Sequence, residues 1–193
     1  MLLLDQQYRQ VEVKAPRWAW FLGRLRMDMR AKSIWYCGES SFWLTLRMLL
    51  SDGSLCTVLY RMMRAFQQLR LAPLAALTYK LNALLTGAVI GRNADFGPGL
   101  VILHSFGTVI NTSVRGGCNA IIEGGVTIGA EKGESPVLGD RVFVGSGARV
   151  IGGMRLGDET RIGANAVVVK DLPDGCTAVG VPARIIKRES EQD

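Results

Sequence analysis

From Ile90 onward the chain repeats every six residues, and that period excludes most folds. Three in-phase runs appear. They are Ile90, Phe96, Ile102; then Ile110, Gly116, Ile122, Ile128; then Leu138, Val144, Val150, Leu156, Ile162, Val168. All but Gly116 are apolar, so one side of every repeat faces a core. The next residue is glycine at Gly91, Gly97, Gly117, Gly129, Gly139, Gly145, Gly157 and Gly163. Four residues on, Ala94, Val114, Ala120, Val126, Val142, Ala148 and Ala166 repeat a small or β-branched choice. A helix repeats at 3.6 and a strand at 2, and neither places glycine every sixth residue. The pattern predicts a coil with flat faces about six residues long, each aliphatic residue stacking on its copy one coil away. Glycine is expected to permit the turns between faces.

The rhythm slips twice. Ile102 to Ile110 spans eight residues, and the slip holds His104, the single histidine in 193 residues. Ile128 to Leu138 spans ten, and its extra residues, within AEKGESPV, read as a polar loop thrown outward. Insertions on repeat scaffolds often build the binding face. The first slip is expected to lift His104 out of the stacked wall and into a cleft. A neutral imidazole there can take a proton from an attacking hydroxyl and return it to a leaving group, worth about 10²–10⁴ in rate.

The first half follows another period. Residues 1–86 are expected to be α-helical, 87–182 to form the coil and 183–193 a tail. In SLCTVLYRMMRAFQQLRL the residues Leu55, Val58, Leu59, Met62, Met63, Phe66 and Leu69 fall on one helical face, with Ser54 as N-cap. Pro73 opens the next helix and Gly87 closes it. Residues 1–86 carry a net charge of +7 and the remainder −1. The basic half suits an anionic acceptor or peripheral contact with the inner membrane face. No apolar run reaches the roughly 20 residues of a membrane span, and MLLLDQQYRQ meets Asp5 too soon for a signal peptide. Cys37, Cys56, Cys118 and Cys176 form no CxxC pair, which predicts reduced thiols, no metal and a cytoplasmic setting. No nucleic-acid-binding motif accompanies the positive charge.

LVILHSFGTVIN, GGVTIG and VLGDRVFVGSGARVIGGMRLGDETRIGANAVVVKDLPDGCTAVGVPARII resemble the hexapeptide-repeat acyltransferases, most closely the serine acetyltransferase branch. The similarity runs from Leu100 to Arg184. It implies a left-handed parallel β-helix preceded by helices. It implies a homotrimer with active sites between subunits, leaves open a dimer of trimers, and implies acetyl transfer from acetyl-CoA to a hydroxyl. His104 falls on the family's catalytic histidine. Ala130, Ser146 and Ala164 fall on its cofactor-binding positions, with Lys170 and Arg184 placed for the nucleotide phosphates.

The departures bear on the acceptor. The family's aspartate before the histidine is Leu103 here, and the Arg-His pair that helps to hold serine is Glu134 and Ser135. Both charges that a free amino acid needs are therefore reduced. This favours a sugar hydroxyl, in a cell-envelope polysaccharide or its precursor, over serine. Serine O-acetylation and a non-catalytic trimeric scaffold are the alternatives. The family's histidine-orienting aspartate matches Val89, which leaves Glu123 and Asp95 as replacements. A zinc carbonic anhydrase on this scaffold would need more histidines. Cys118 has no part in direct transfer.

Overall fold

A computed structural model describes residues 17–186, so the MLLL start and the end of the tail lie outside the described residues. Helices α1 (Arg17–Cys37), α2 (Phe42–Met48), α3 (Ser54–Gln68) and α4 (Ala72–Thr86) come first. The chain then winds into a left-handed parallel β-helix with three flat walls. The first wall stacks β1 (Val89–Ile90), β4 (Val109–Ile110), β7 (Thr127–Gly129), β10 (Arg149–Ile151) and β13 (Val167–Val168). The second stacks β2 (Asp95–Phe96), β5 (Arg115–Gly116), β8 (Val137–Leu138) and β11 (Arg155–Leu156). The third stacks β3 (Val101–Ile102), β6 (Ile121–Ile122), β9 (Phe143–Val144), β12 (Arg161–Ile162), β14 (Thr177–Val179) and β15 (Arg184–Ile186). Among the strand pairs of the described residues, only β14–β15 is antiparallel.

The register follows the sequence period. Val109 pairs with Thr127, and Arg149 with Val167, steps of 18 residues or three hexapeptides. The coil with the first slip takes 20 residues, from Val89 to Val109, and the coil with the second takes 22, from Thr127 to Arg149. Every apolar residue of the three runs is buried, as is the small set from Ala94 to Ala166. Gly116, the exception, is filled from the neighbouring coil. A Cβ there would lie 2.2 Å from the Phe96 ring. One large side chain thus serves two coils, and close packing is kept.

The periodic glycines have a different cause from the one expected. They keep ordinary φ, and left-handed residues lie two positions beyond six of them, at Gly99, Asn119, Arg141, Gly147, Glu159 and Asn165. What the glycines provide is close approach. A Cβ on Gly91 would stand 2.2 Å from Thr112 Cα, and one on Gly145 2.8 Å from Ala164 N. The outward loop of the second slip is also tethered. Ser135 Oγ donates to Asn111 Oδ1 at 3.1 Å, and Glu134 lies against Gly153.

The helices close the open end of the coil. The first coil has no coil before it, so its backbone donors and acceptors would be bare. Polar side chains meet them. Tyr60 Oη accepts from Phe96 N–H at 3.1 Å and donates to the Ala94 carbonyl at 3.0 Å. Arg61 donates to the carbonyls of Phe96 and Gly97 at 2.8 and 2.6 Å, and Asp28 Oδ1 accepts from Leu100 N–H at 2.8 Å. Asp28 and Arg61 also bind each other bidentately, at 2.7 and 3.0 Å, with both side chains wholly buried. The apolar stripe of α3 is rotated accordingly. Cys56, Leu59, Tyr60 and Met63 are buried, whereas Leu55 and Leu69 are exposed. Gly53, at φ 75°, is the N-cap, not Ser54. Ser54 is already helical, and its hydroxyl donates to the Met48 carbonyl instead. Part of the basic excess is therefore internal. Among the described residues, no helix is long and apolar enough to cross a membrane.

Candidate active site

His104 follows β3 at the edge where the third wall turns into the first. The slip places two left-handed residues there, His104 at φ 56° and Gly107 at φ 74°. Between them the chain bulges outward and is pinned to the end of α4. Ser105 Oγ donates to the Thr86 carbonyl at 3.0 Å, Gly107 N–H donates to the Gly87 carbonyl at 3.0 Å, and the Phe106 ring covers Gly87. Leu103 stays in the wall, buried, with its N–H on the Ile122 carbonyl. The imidazole leaves the wall and is 70% exposed.

Its partner comes from the helices. His104 Nδ1 lies 2.7 Å from Asp52 Oδ2. Asp52 stands in the turn between α2 and α3, and Gly53 brings that turn within reach. A Cβ on Gly53 would stand 2.2 Å from the Ile102 carbonyl oxygen and 3.3 Å from His104 N. Only glycine can lie that close at positive φ. The hydrogen bond from His104, above all, holds the Asp52 carboxyl below its ordinary range. The Gly53 N–H and the Lys32 ammonium act the same way, against partial burial. An ionised Asp52 assigns the proton to Nδ1, so Nε2 is left as the acceptor facing outward. The arrangement is that of a positioned general base.

Neither expected orienting carboxylate does this. Asp95 belongs to the second wall and faces Arg24 and Arg64 at 3.7 and 3.2 Å. Glu123 lies one coil beyond His104, but its carboxylate accepts from Ser146 N–H at 2.9 Å. The sequence carried only a faint sign of Asp52: the SDG between two helical patterns marks a sharp turn, and no spacing links it to a residue 52 positions away. Tyr36, on α1, is near enough to feel the carboxylates of Asp52 and Glu123. Burial, with the Asp52 and Glu123 carboxylates, pushes its phenol upward, so the hydroxyl keeps its proton. Trp35, its neighbour on α1, stacks on Phe143 of β9 at 5.6 Å.

The expected cofactor positions divide between two edges. Ser146 and Ala164 lie on the edge of His104, in successive coils. Gly147 N–H donates to the Gly124 carbonyl, and Asn165 N–H to that of Ser146, at 2.9 and 2.8 Å. The next coil toward His104 is in contact too, since a Cβ on Gly124 would meet His104 Cβ at 3.1 Å. Arg184 is exposed on β15 of the third wall. Ala130 and Lys170 follow β7 and β13, on the edge between the first and second walls, so one chain does not bring them to His104. Cys118 is buried at the remaining edge, after β5. Among the described residues, no cluster of three or more His, Cys, Asp or Glu is placed to hold a metal ion.

No protein-family model matches the sequence. A serine acetyltransferase of Helicobacter pylori (strain J99 / ATCC 700824) is 41% identical over 146 residues, which cover 74% of this chain and 85% of that protein. Among solved structures, the soybean serine acetyltransferase complexed with serine superposes with a TM-score of 0.77 at 28% identity, over 86% of this chain and 69% of that one. A serine acetyltransferase in complex with CoA gives 0.78 at 25% identity, with the same coverage of each.

Proposed function

The chain belongs to the serine acetyltransferase family of hexapeptide-repeat enzymes, and from that premise we propose that it transfers acetyl from acetyl-CoA to the hydroxyl of L-serine, with His104 as general base. It is an acetyltransferase that uses acetyl-CoA as co-substrate. The observation that carries the assignment is the 2.7 Å contact between His104 Nδ1 and Asp52.

In the reaction His104 Nε2 takes the hydroxyl proton as the oxygen attacks the thioester carbonyl. The carbon–sulfur bond then breaks, and the imidazolium returns the proton to the departing thiolate, giving ester and free CoA. Asp52 stays ionised throughout, fixes the tautomer and steadies the imidazolium. Acetyl-CoA lies along the edge marked by Ser146 and Ala164, with Arg184 toward its phosphates. Ala130 and Lys170 come from the edge of a neighbouring subunit in a homotrimer, because a single chain holds them apart from His104.

Serine is favoured by the names of the relatives, which give no support to the polysaccharide expectation. One observation keeps a sugar hydroxyl as the second reading. Leu103 is turned into the wall, and the loop presents Glu134 and Ser135 where the family holds the amino acid with an Arg-His pair. Release of CoA thiol from acetyl-CoA decides between them, with L-serine and then a panel of sugars and nucleotide sugars. Serine-dependent release that is lost in His104→Ala is the expected result. Release with a sugar alone would transfer the assignment to the second reading, and equal release by His104→Ala would overturn both.

A further inference from the structure

Lys32 sits in the middle of α1 with only 1% of its surface exposed. Burying an ammonium is costly unless its donors are matched. Here all three N–H groups have acceptors. Nζ donates to the Asp52 carbonyl through a short hydrogen bond, to Ser54 Oγ at 2.9 Å and to the Ile102 carbonyl at 3.2 Å. The first two acceptors lie on either side of Gly53, in the turn that carries Asp52. The third ends β3, two residues before His104.

We propose that Lys32 is a positioning residue for acetyl transfer, its ammonium locking the Asp52 turn onto the strand end that carries His104 and so fixing the Asp52–His104 contact. The proposal rests on the reading of His104 as the base and Asp52 as its partner. Capping the bare end of the coil would account for the Ile102 bond alone. It would not call for a cation that also grips both flanks of the Asp52 turn. The ammonium additionally favours the ionised form of Asp52. The charged and titratable groups facing Lys32 are Asp52, from the turn, and Cys56, from α3; both oppose the effect of burial, which pulls Lys32 down to about 8.

The test is a double-mutant cycle read as kcat and KM in the full chain. The assay is thiol release with L-serine, or with the first acceptor of the panel that supports it. Lys32→Met is expected to lower kcat about 10- to 100-fold and to leave KM for acetyl-CoA unchanged. In the Asp52→Asn background the same change should cost less than about twofold, because the element it positions is already lost. An equal loss in both backgrounds would show an independent structural cap and overturn the proposal, as would full activity in Lys32→Met. Full activity in Asp52→Asn would instead overturn the reading of the site, and the proposal with it. Should Lys32→Met not fold, Ser54→Ala removes one of the three acceptors and should lower kcat in the same sense; an unchanged kcat there would overturn the proposal.

Discussion

At the scale of single residues, the site depends on an approach that one atom would block. Gly53 lies against the Ile102 carbonyl, and this proximity carries Asp52 to His104. Gly53→Ala is expected to push the turn away and lower kcat about 100-fold, since misplacement by about 1 Å has that effect on positioned groups. Steady-state kinetics beside a thermal melt will show whether activity falls further than stability. His104 was legible in the sequence because it is the single histidine and falls at a break in a strict period. Asp52 was not, because contacts across 52 residues are set by helix packing and leave no spacing to read. Asp28, Lys32 and Arg61 were hidden for the same reason. Charges in an amphipathic helix read as solvent-facing, yet these three face the backbone at the open end of the coil.

At the scale of elements, the coil was almost wholly legible, and the helices only in outline. A six-residue period fixes which residues point inward, and each one the period marked as apolar is buried. The same period gave the wrong reason for glycine, because sequence shows where a small residue recurs and not whether φ or a neighbouring coil requires it. The helices are held to the coil by the Asp28–Arg61 pair and its backbone contacts. Arg61→Met leaves Asp28 buried without its counter-charge and the Gly97 carbonyl without its arginine donor, while Arg24 still donates to the Phe96 carbonyl. A loss of about 3–5 kcal/mol is expected, measurable by urea unfolding. A loss under about 1 kcal/mol would mean that the apolar contacts of α3 alone secure the helices.

At the scale of the molecule, two consequences follow. On the proposed reading, Ala130 and Lys170, held apart from the His104 edge, join the cofactor groove from a second subunit. Light scattering should give three or six times the chain mass, and a monomer that retains full activity would contradict the assembly. Stability should also carry the mark of Lys32. Its proton leaves at about 8 in the fold and at about 10.5 in the unfolded chain. Between those values the unfolded chain holds more protons, so this group's contribution to stability rises with pH. Cys56, raised by burial to about 11, acts in the opposite sense above its ordinary value. The lysine contribution is therefore read as a difference. Unfolding free energies of wild type and Lys32→Met should shift in favour of wild type as pH climbs through that window.

The central claim is that an ionised Asp52 holds His104 as the base of acetyl transfer, and the pH profile of kcat/KM in Asp52→Asn tests it most directly. Removing the carboxylate takes away the group that fixes the tautomer and steadies the imidazolium. The account predicts a maximum lowered by about 10²–10⁴. A profile with the wild-type maximum would contradict it.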